Sequence, residues 1–210
     1  TVDRRQRQMC IRDMYFIAPL LILVTLAGVL AGGVWAWTGV GLLGVGIILD
    51  TLINVQTRGA IDENGETLGI PWLQNTVMYF MLPVFVALQV ALAYQIYNGM
   101  TGVELLGAVL STGIFAGIGI IYGHELSHCK GFAFIISRMT MGLSGSAHFC
   151  YAHVYNHHLE LASEDDPATA PRGRTIYGHY LLSYLGQSKF VFNMEKERLS
   201  RMGVPFISWQ

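Results

Sequence analysis

Four nearly uncharged apolar stretches, each close to the length of a bilayer-crossing helix, follow one another through the first 123 residues. About twenty mostly apolar residues cross a bilayer as a helix. Met14 to Trp37 meets that length without a charge, and Thr38 to about Val55 follows so closely that the pair must form a helical hairpin. Asp50 and Asn54 lie near the end of that second stretch. Arg58 to Pro71 is a polar loop, with Asp62, Glu63 and Glu66 around Asn64-Gly65. Thr76 to Tyr97 is the third stretch, and Asn98-Gly99 turns the chain into a fourth, from about Val103 to Gly123. The whole chain is 52% hydrophobic and only 13% charged, against roughly 25% charge in soluble domains. The expected class is an all-α membrane protein, with about four transmembrane helices in 14–123 and cytoplasmic or interfacial helices in 124–210. Together they read as a single, partial domain over 1–210.

Positive charge near the ends of membrane spans sets orientation. Arg4, Arg5, Arg7 and Arg12 crowd the N-terminus, and eight of the thirteen Lys and Arg residues lie from Lys130 onward. Four spans from an inner N-terminus return the chain to the inside at Gly123. No basic stripe is interleaved with aromatics, so nothing here points to nucleic acid. Cys10, Cys129 and Cys150 lack metal spacing and are odd in number, so they read as reduced thiols. The start is too apolar for too long to be a cleaved signal peptide. With Thr1 first and Gln210 last, the sequence reads as a fragment of a longer one.

Beyond Lys130 the pattern changes. Gly131 to Ser146 is apolar but interrupted by Arg138 and Gly142, which fits an interfacial or re-entrant helix better than a span. Glu160 to Arg174 is polar and turn-rich, and Tyr177 to Leu199 reads as an amphipathic helix.

Of seven histidines, five make up two boxes within one stretch of thirty-five residues, His124-Glu125-Leu126-Ser127-His128 and His153-Val154-Tyr155-Asn156-His157-His158. Residues four apart on a helix share a face, which applies to His124 with His128 and to His153 with His157. His158 is turned about a quarter revolution from His157. Imidazole suits iron, copper, zinc and nickel, and five rings exceed what one tetrahedral metal with an open position needs. The pattern asks for two metals, or for one metal and a proton relay. The first box also matches the zinc-protease pattern with Glu125 as base, but that leaves three histidines over.

The two boxes, followed by Glu164-Asp165-Asp166-Pro167-Ala168-Thr169-Ala170 and Arg172-Gly173-Arg174-Thr175-Ile176-Tyr177, resemble the integral-membrane alkane 1-monooxygenases and xylene monooxygenase hydroxylase subunits. These belong to the fatty acid desaturase-like superfamily, and the resemblance covers essentially the whole chain. It implies two non-haem iron ions, with O2 as co-substrate, and hydroxylation of an unactivated C–H bond of an apolar hydrocarbon drawn from the bilayer. It implies His124, His128, His153, His157 and His158 as metal ligands. Glu125 is then either a catalytic-site partner of a ligand ring or a structural acid, and Asp165 and Asp166 are candidates to orient ligand rings. The implied electron donor is rubredoxin for the alkane type or an iron–sulfur flavin reductase for the xylene type. The implied location is a bacterial inner membrane, with the boxes facing the cytoplasm.

Two departures qualify the resemblance. Alkane-type enzymes carry Glu before the first His of the second box, where this chain has Ala152, as in the xylene type. The family's later histidine motifs do not occur before Gln210, and neither His148 nor His179 matches them. This stretch alone is therefore expected to bind metal incompletely and to be inactive. Phe80, Phe85, Phe115, Leu105 and Ile118 are candidates for a substrate channel, though lipid contact or packing explains each as well. A desaturase-like lipid enzyme and a non-enzymatic membrane metal-binding or transport protein are the alternatives.

Overall fold

The computed structural model describes residues 14–53 and 71–205. The N-terminal arginines, Cys10, Asn54, the acidic loop from Arg58 and Gln210 lie outside the described residues. The described residues contain helices and turns and no strand. They fall into two compact units, Thr1–Tyr122 and Gly123–Gln210.

The first unit contains α1 (Met14–Ala31), a 3-10 turn (Gly33–Trp37), α2 (Thr38–Ile53), α3 (Pro71–Tyr97) and most of α4 (Gly102–Ser127). Among the described residues, three segments are long and apolar enough to cross a bilayer: Gly33–Leu52, Asn75–Tyr97 and Gly102–Ser127. Helix α1 is equally apolar but shorter. The chain is thus an all-α membrane protein. The first expected span, to Trp37, breaks at Gly32-Gly33, where φ is 70° and 56°. Glycine enters that left-handed region at little cost, and a helix ends there.

Each long helix buries one stripe. Ile22, Thr25 and Val29 of α1 are buried, as are Met81, Val84, Phe85, Leu88 and Ala91 of α3 and Ala108, Ser111, Thr112 and Phe115 of α4. These are helical spacings of three and four. The opposite faces are exposed and equally apolar, with Leu20, Leu23, Ile47, Phe80, Val90 and Leu110 among them. A helix apolar all round needs an apolar solvent, and a bilayer supplies it. Of the suggested channel residues, Phe85 and Phe115 are packed into the core, Phe80 is exposed, and Leu105 and Ile118 are half-buried. Asp50 is exposed in the last turn of α2.

Polar side chains in this unit hold helix ends. The Gln95 amide donates to the carbonyls of Val29 and Leu30, at 2.8 and 2.7 Å, closing the end of α1. Gly33 N–H donates to the Glu104 carboxylate. The fully buried Ser111 hydroxyl donates to Ala36 O at 2.8 Å and accepts from Gly39 N–H at 3.1 Å. A Cβ on Gly39 would lie 2.8 Å from Ser111 Cα, so α2 and α4 touch there only because no side chain intervenes.

The second unit begins with the last turns of α4 and continues through α5 (Phe132–Gly142), α6 (Phe149–Ala152), a π-helical turn (His153–His157), α7 (His158–Glu160) and α8 (Ile176–Arg201). Helix α5 buries Ala133, Ile136, Ser137, Thr140 and Met141. Its Ser137 hydroxyl donates to Gly123 O, and the Cys150 sulfur lies 3.2 Å from both Ser137 Oγ and Met141 Sδ. Thr175 caps α8 by accepting Gly178 N–H at 3.3 Å. Gly186 admits Pro167 against α8, since a Cβ there would lie 2.6 Å from the proline Cβ.

Candidate metal centre

The first box closes α4. His124 is in its last turn and His128 follows the last helical residue, Ser127, whose hydroxyl donates to His124 O at 2.6 Å. The two rings meet edge to face, 5.1 Å between centroids, as their four-residue spacing predicts.

The second box departs from the α-helical expectation. His153–His157 forms a π-turn, closed by His158 N–H donating to His153 O, an i→i+5 bond. The wider turn keeps His153 and His157 adjacent, as expected, and adds a second neighbour. It is His158, five residues on, whose Nε2 comes within 2.9 Å of His153 Nε2, with the rings edge to face. His157 lies nearly parallel to His153, at 5.4 Å, and points its Nδ1 elsewhere.

Four ring nitrogens therefore converge. His153 Nε2 is 2.7 Å from His124 Nε2 and 2.9 Å from His158 Nε2, and His124 Nε2 is 3.4 Å from His128 Nε2. A ring nitrogen has one in-plane direction for bonding, as donor or as acceptor. His153 Nε2 thus cannot bond two other nitrogens at once. A cation facing all of them resolves the conflict: with metal–nitrogen bonds of about 2.1 Å, neighbouring ligand nitrogens stand roughly 3.0–3.4 Å apart. His124, His128 and His153 form a group whose ligand atoms lie within 4.8 Å of one another, so the donor set fits a metal.

Burial pushes the His153 ring down to about 3, with the neighbouring histidines adding to the effect, so it is neutral at physiological pH and keeps its lone pair. Asp166 fixes His157. The carboxylate is buried and its Oδ2 lies 2.8 Å from His157 Nδ1. Burial pushes the Asp166 carboxyl up, but the Thr169 hydroxyl, the Ala168 N–H and His157 outweigh it and hold the group below the usual carboxylate range. An ionised Asp166 requires the proton on Nδ1, which leaves Nε2 of His157 as the free donor atom. The Thr169 hydroxyl donates to Asp166 Oδ2 at 2.6 Å and accepts Ala162 N–H at 3.0 Å, while Ala168 N–H reaches Oδ1 at 2.9 Å. Ala162 is held at φ 67° by this loop.

The other expected residues separate. Of the two acids in Glu164-Asp165-Asp166, it is Asp166 that meets a ring, whereas Asp165 offers its backbone carbonyl, 3.5 Å from the Asn156 amide. Glu125 Oε1 is 3.7 Å from His124 Nδ1, beyond hydrogen-bond reach. His148 sits edge-on to Tyr184 at 4.7 Å, its pKa lowered by burial, and Nδ1 of His179 is buried without a hydrogen-bond partner. Neither joins the histidine group. Cys129 is exposed and Cys150 buried, both free thiols, and burial pushes the Cys150 thiol up. Sequence reading missed the π-turn and Thr169. A hydroxyl three residues after a carboxylate was the one available hint to the latter.

The fatty acid desaturase family model matches residues 102–209, a stretch that contains both boxes. Alkane 1-monooxygenase 1 of Alcanivorax borkumensis is 28% identical over 210 residues, covering 96% of this chain and 50% of that protein. The alkane 1-monooxygenase of Acinetobacter baylyi is 30% identical over 210 residues, covering 94% and 51%. That of Pseudomonas putida is 28% identical over 162 residues, covering 76% and 40%. The chain spans about half the length of the curated relatives it matches.

Proposed function

The chain belongs to the fatty acid desaturase family, and from that premise we propose that it builds part of the metal centre of a membrane-bound alkane monooxygenase. The observation that carries this is the convergence of ring nitrogens of His124, His128, His153 and His158, 2.7, 2.9 and 3.4 Å from one another along the cluster, on a donor group that could hold a metal ion. His157, oriented by Asp166, is the fifth ligand. Two non-haem irons held by these rings would supply the oxidising power for O2-dependent hydroxylation of an unactivated C–H bond. The balance is one C–H bond, one O2, two electrons and two protons in, and one alcohol and one water out.

The residues of this chain have definite tasks in that reaction. His124, His128, His153 and His158 turn ring nitrogens toward one another, and Asp166 keeps the His157 proton on Nδ1. Glu125 stands beside His124 as a polarising neighbour, too distant to take its proton directly. The apolar helices offer a route by which a hydrocarbon dissolved in the bilayer reaches the site. Ala152, buried in front of His153, places no carboxylate where alkane-type enzymes have one, a feature of the xylene type. The relatives named above favour an alkane over an alkylarene. Electrons come from a soluble donor, rubredoxin or an iron–sulfur flavin reductase, with the boxes on the cytoplasmic side of a bacterial inner membrane.

The test is the full-length protein in membranes, supplied with a matched reductase and donor, given octane and xylene separately. We expect about two irons per chain, by analogy with the two-metal requirement of five or more imidazole ligands, and 1-octanol as product. An alkene from a lipid chain would instead establish the desaturase alternative, and metal binding without any oxidised product would establish the non-enzymatic one.

A further inference from the structure

Helix α8 is inside out over its first three turns. Its buried residues there are polar: Ser183 and Gln187 lie inward, the Gln187 amide donating to Ser183 Oγ at 2.8 Å. Its outward residues are apolar. Tyr177, Leu181 and Leu185, at i, i+4 and i+8, form one stripe and are 87%, 58% and 55% exposed, with Tyr180 and Leu182 beside them. In water this polarity is reversed from what a surface helix requires. A contiguous apolar stripe of this extent marks a binding surface.

Charge indicates what binds it. From Pro167 to Met194 the chain carries Arg172, Arg174 and Lys189 and no acidic residue. All three cations are exposed. Tyrosines with a polar tip, aliphatic side chains between them and lysine and arginine alongside are the chemistry of a helix lying in the headgroup region of a bilayer. On the inner side the Gln187 amide donates to Ser183, so these two polar groups pair with each other.

We propose that the first half of α8 is a membrane-surface helix, with the Tyr177–Leu181–Leu185 stripe in the acyl region and Arg172, Arg174 and Lys189 on anionic lipid headgroups. This does not depend on the metal or on the reaction, and it adds a lipid-binding face to a segment that follows the second histidine box directly.

Spin labels on cysteine variants test it, using the chain with Cys10 and Cys129 replaced by serine, reconstituted in nanodiscs of phosphatidylcholine with phosphatidylglycerol. Labels at Leu181→Cys and Leu185→Cys should collide severalfold more with oxygen than with a water-soluble nickel chelate, while a label at the exposed Glu197→Cys should show the reverse. Nickel preference at 181 and 185 would mean that the stripe faces water, and low accessibility to both reagents would mean that protein covers it; either overturns the proposal. In phosphatidylcholine alone the same two labels should shift toward nickel. No shift there, with oxygen preference kept, overturns the anionic-lipid part.

Discussion

The two units handle buried polarity in opposite ways. In Thr1–Tyr122, buried polar groups bind backbone: Ser111 joins Ala36 to Gly39, Gln95 caps α1, and the Thr25 hydroxyl donates to Leu21 O. Most of what surrounds those helices is apolar, within and without. In Gly123–Gln210, buried polar side chains instead meet one another, His153 with His124 and His158, and Asp166 with His157 and Thr169. Polarity in the first unit fixes where helices stop and touch. In the second it fixes where ring nitrogens point, and gathers them in a group that could hold a metal ion.

The largest expected effect is on the second arrangement. His153→Ala removes the nitrogen at the centre of the cluster and should cost at least about 100-fold in metal affinity, beyond the usual loss for an outer partner. Metal analysis of the purified full-length variant checks it, and retention of the normal metal content would break the contrast. Next is Asp166→Asn, which no longer enforces a proton on His157 Nδ1; a loss of about 10–100-fold in metal affinity or activity is expected. Thr169→Val should fall on the same scale with a smaller loss, and an unchanged Asp166→Asn variant would reduce the loop to a structural cap.

Ser111→Ala sharpens the other side. It should lower stability by about 1–2 kcal/mol, read from thermal unfolding in detergent, and leave metal content intact. The metal-free chain should also respond to pH. Unfolded histidine titrates near 6.5, whereas His153 in the fold is held down to about 3. Between those values the unfolded state binds the extra proton, so stability rises with pH across that window. His153→Gln should flatten the slope, and an unaltered slope would assign the pH dependence to other groups.

How much of this was legible in the sequence follows the same division. Long uncharged runs state the helices because lipid demands little of them beyond length and apolarity. Even there, the early end of α1 depends on two successive glycines taking a left-handed backbone, which a hydropathy reading passes over. The histidine spacing disclosed the first box correctly, since an α-helix carries His124 and His128 on one side. For the second box the α-helical rule rightly set His153 and His157 side by side but did not foresee that the wider turn brings His158 to His153 as well. The choice of Asp166 over Asp165 was also out of reach. It depends on the path of the loop after Ala162, which is set by Thr169 and not by any periodicity.

That wider turn bears on inheritance. Deleting one residue between His153 and His157 would turn the i→i+5 closure into an ordinary i→i+4 bond, so His158 would stay beside His153 and the residues after it would keep their phase. Point substitutions within the box, at Val154 or Tyr155, leave the frame untouched. The turn is one residue added to an ordinary helix, a bulge that sets which ring meets His153 without turning the helix that follows.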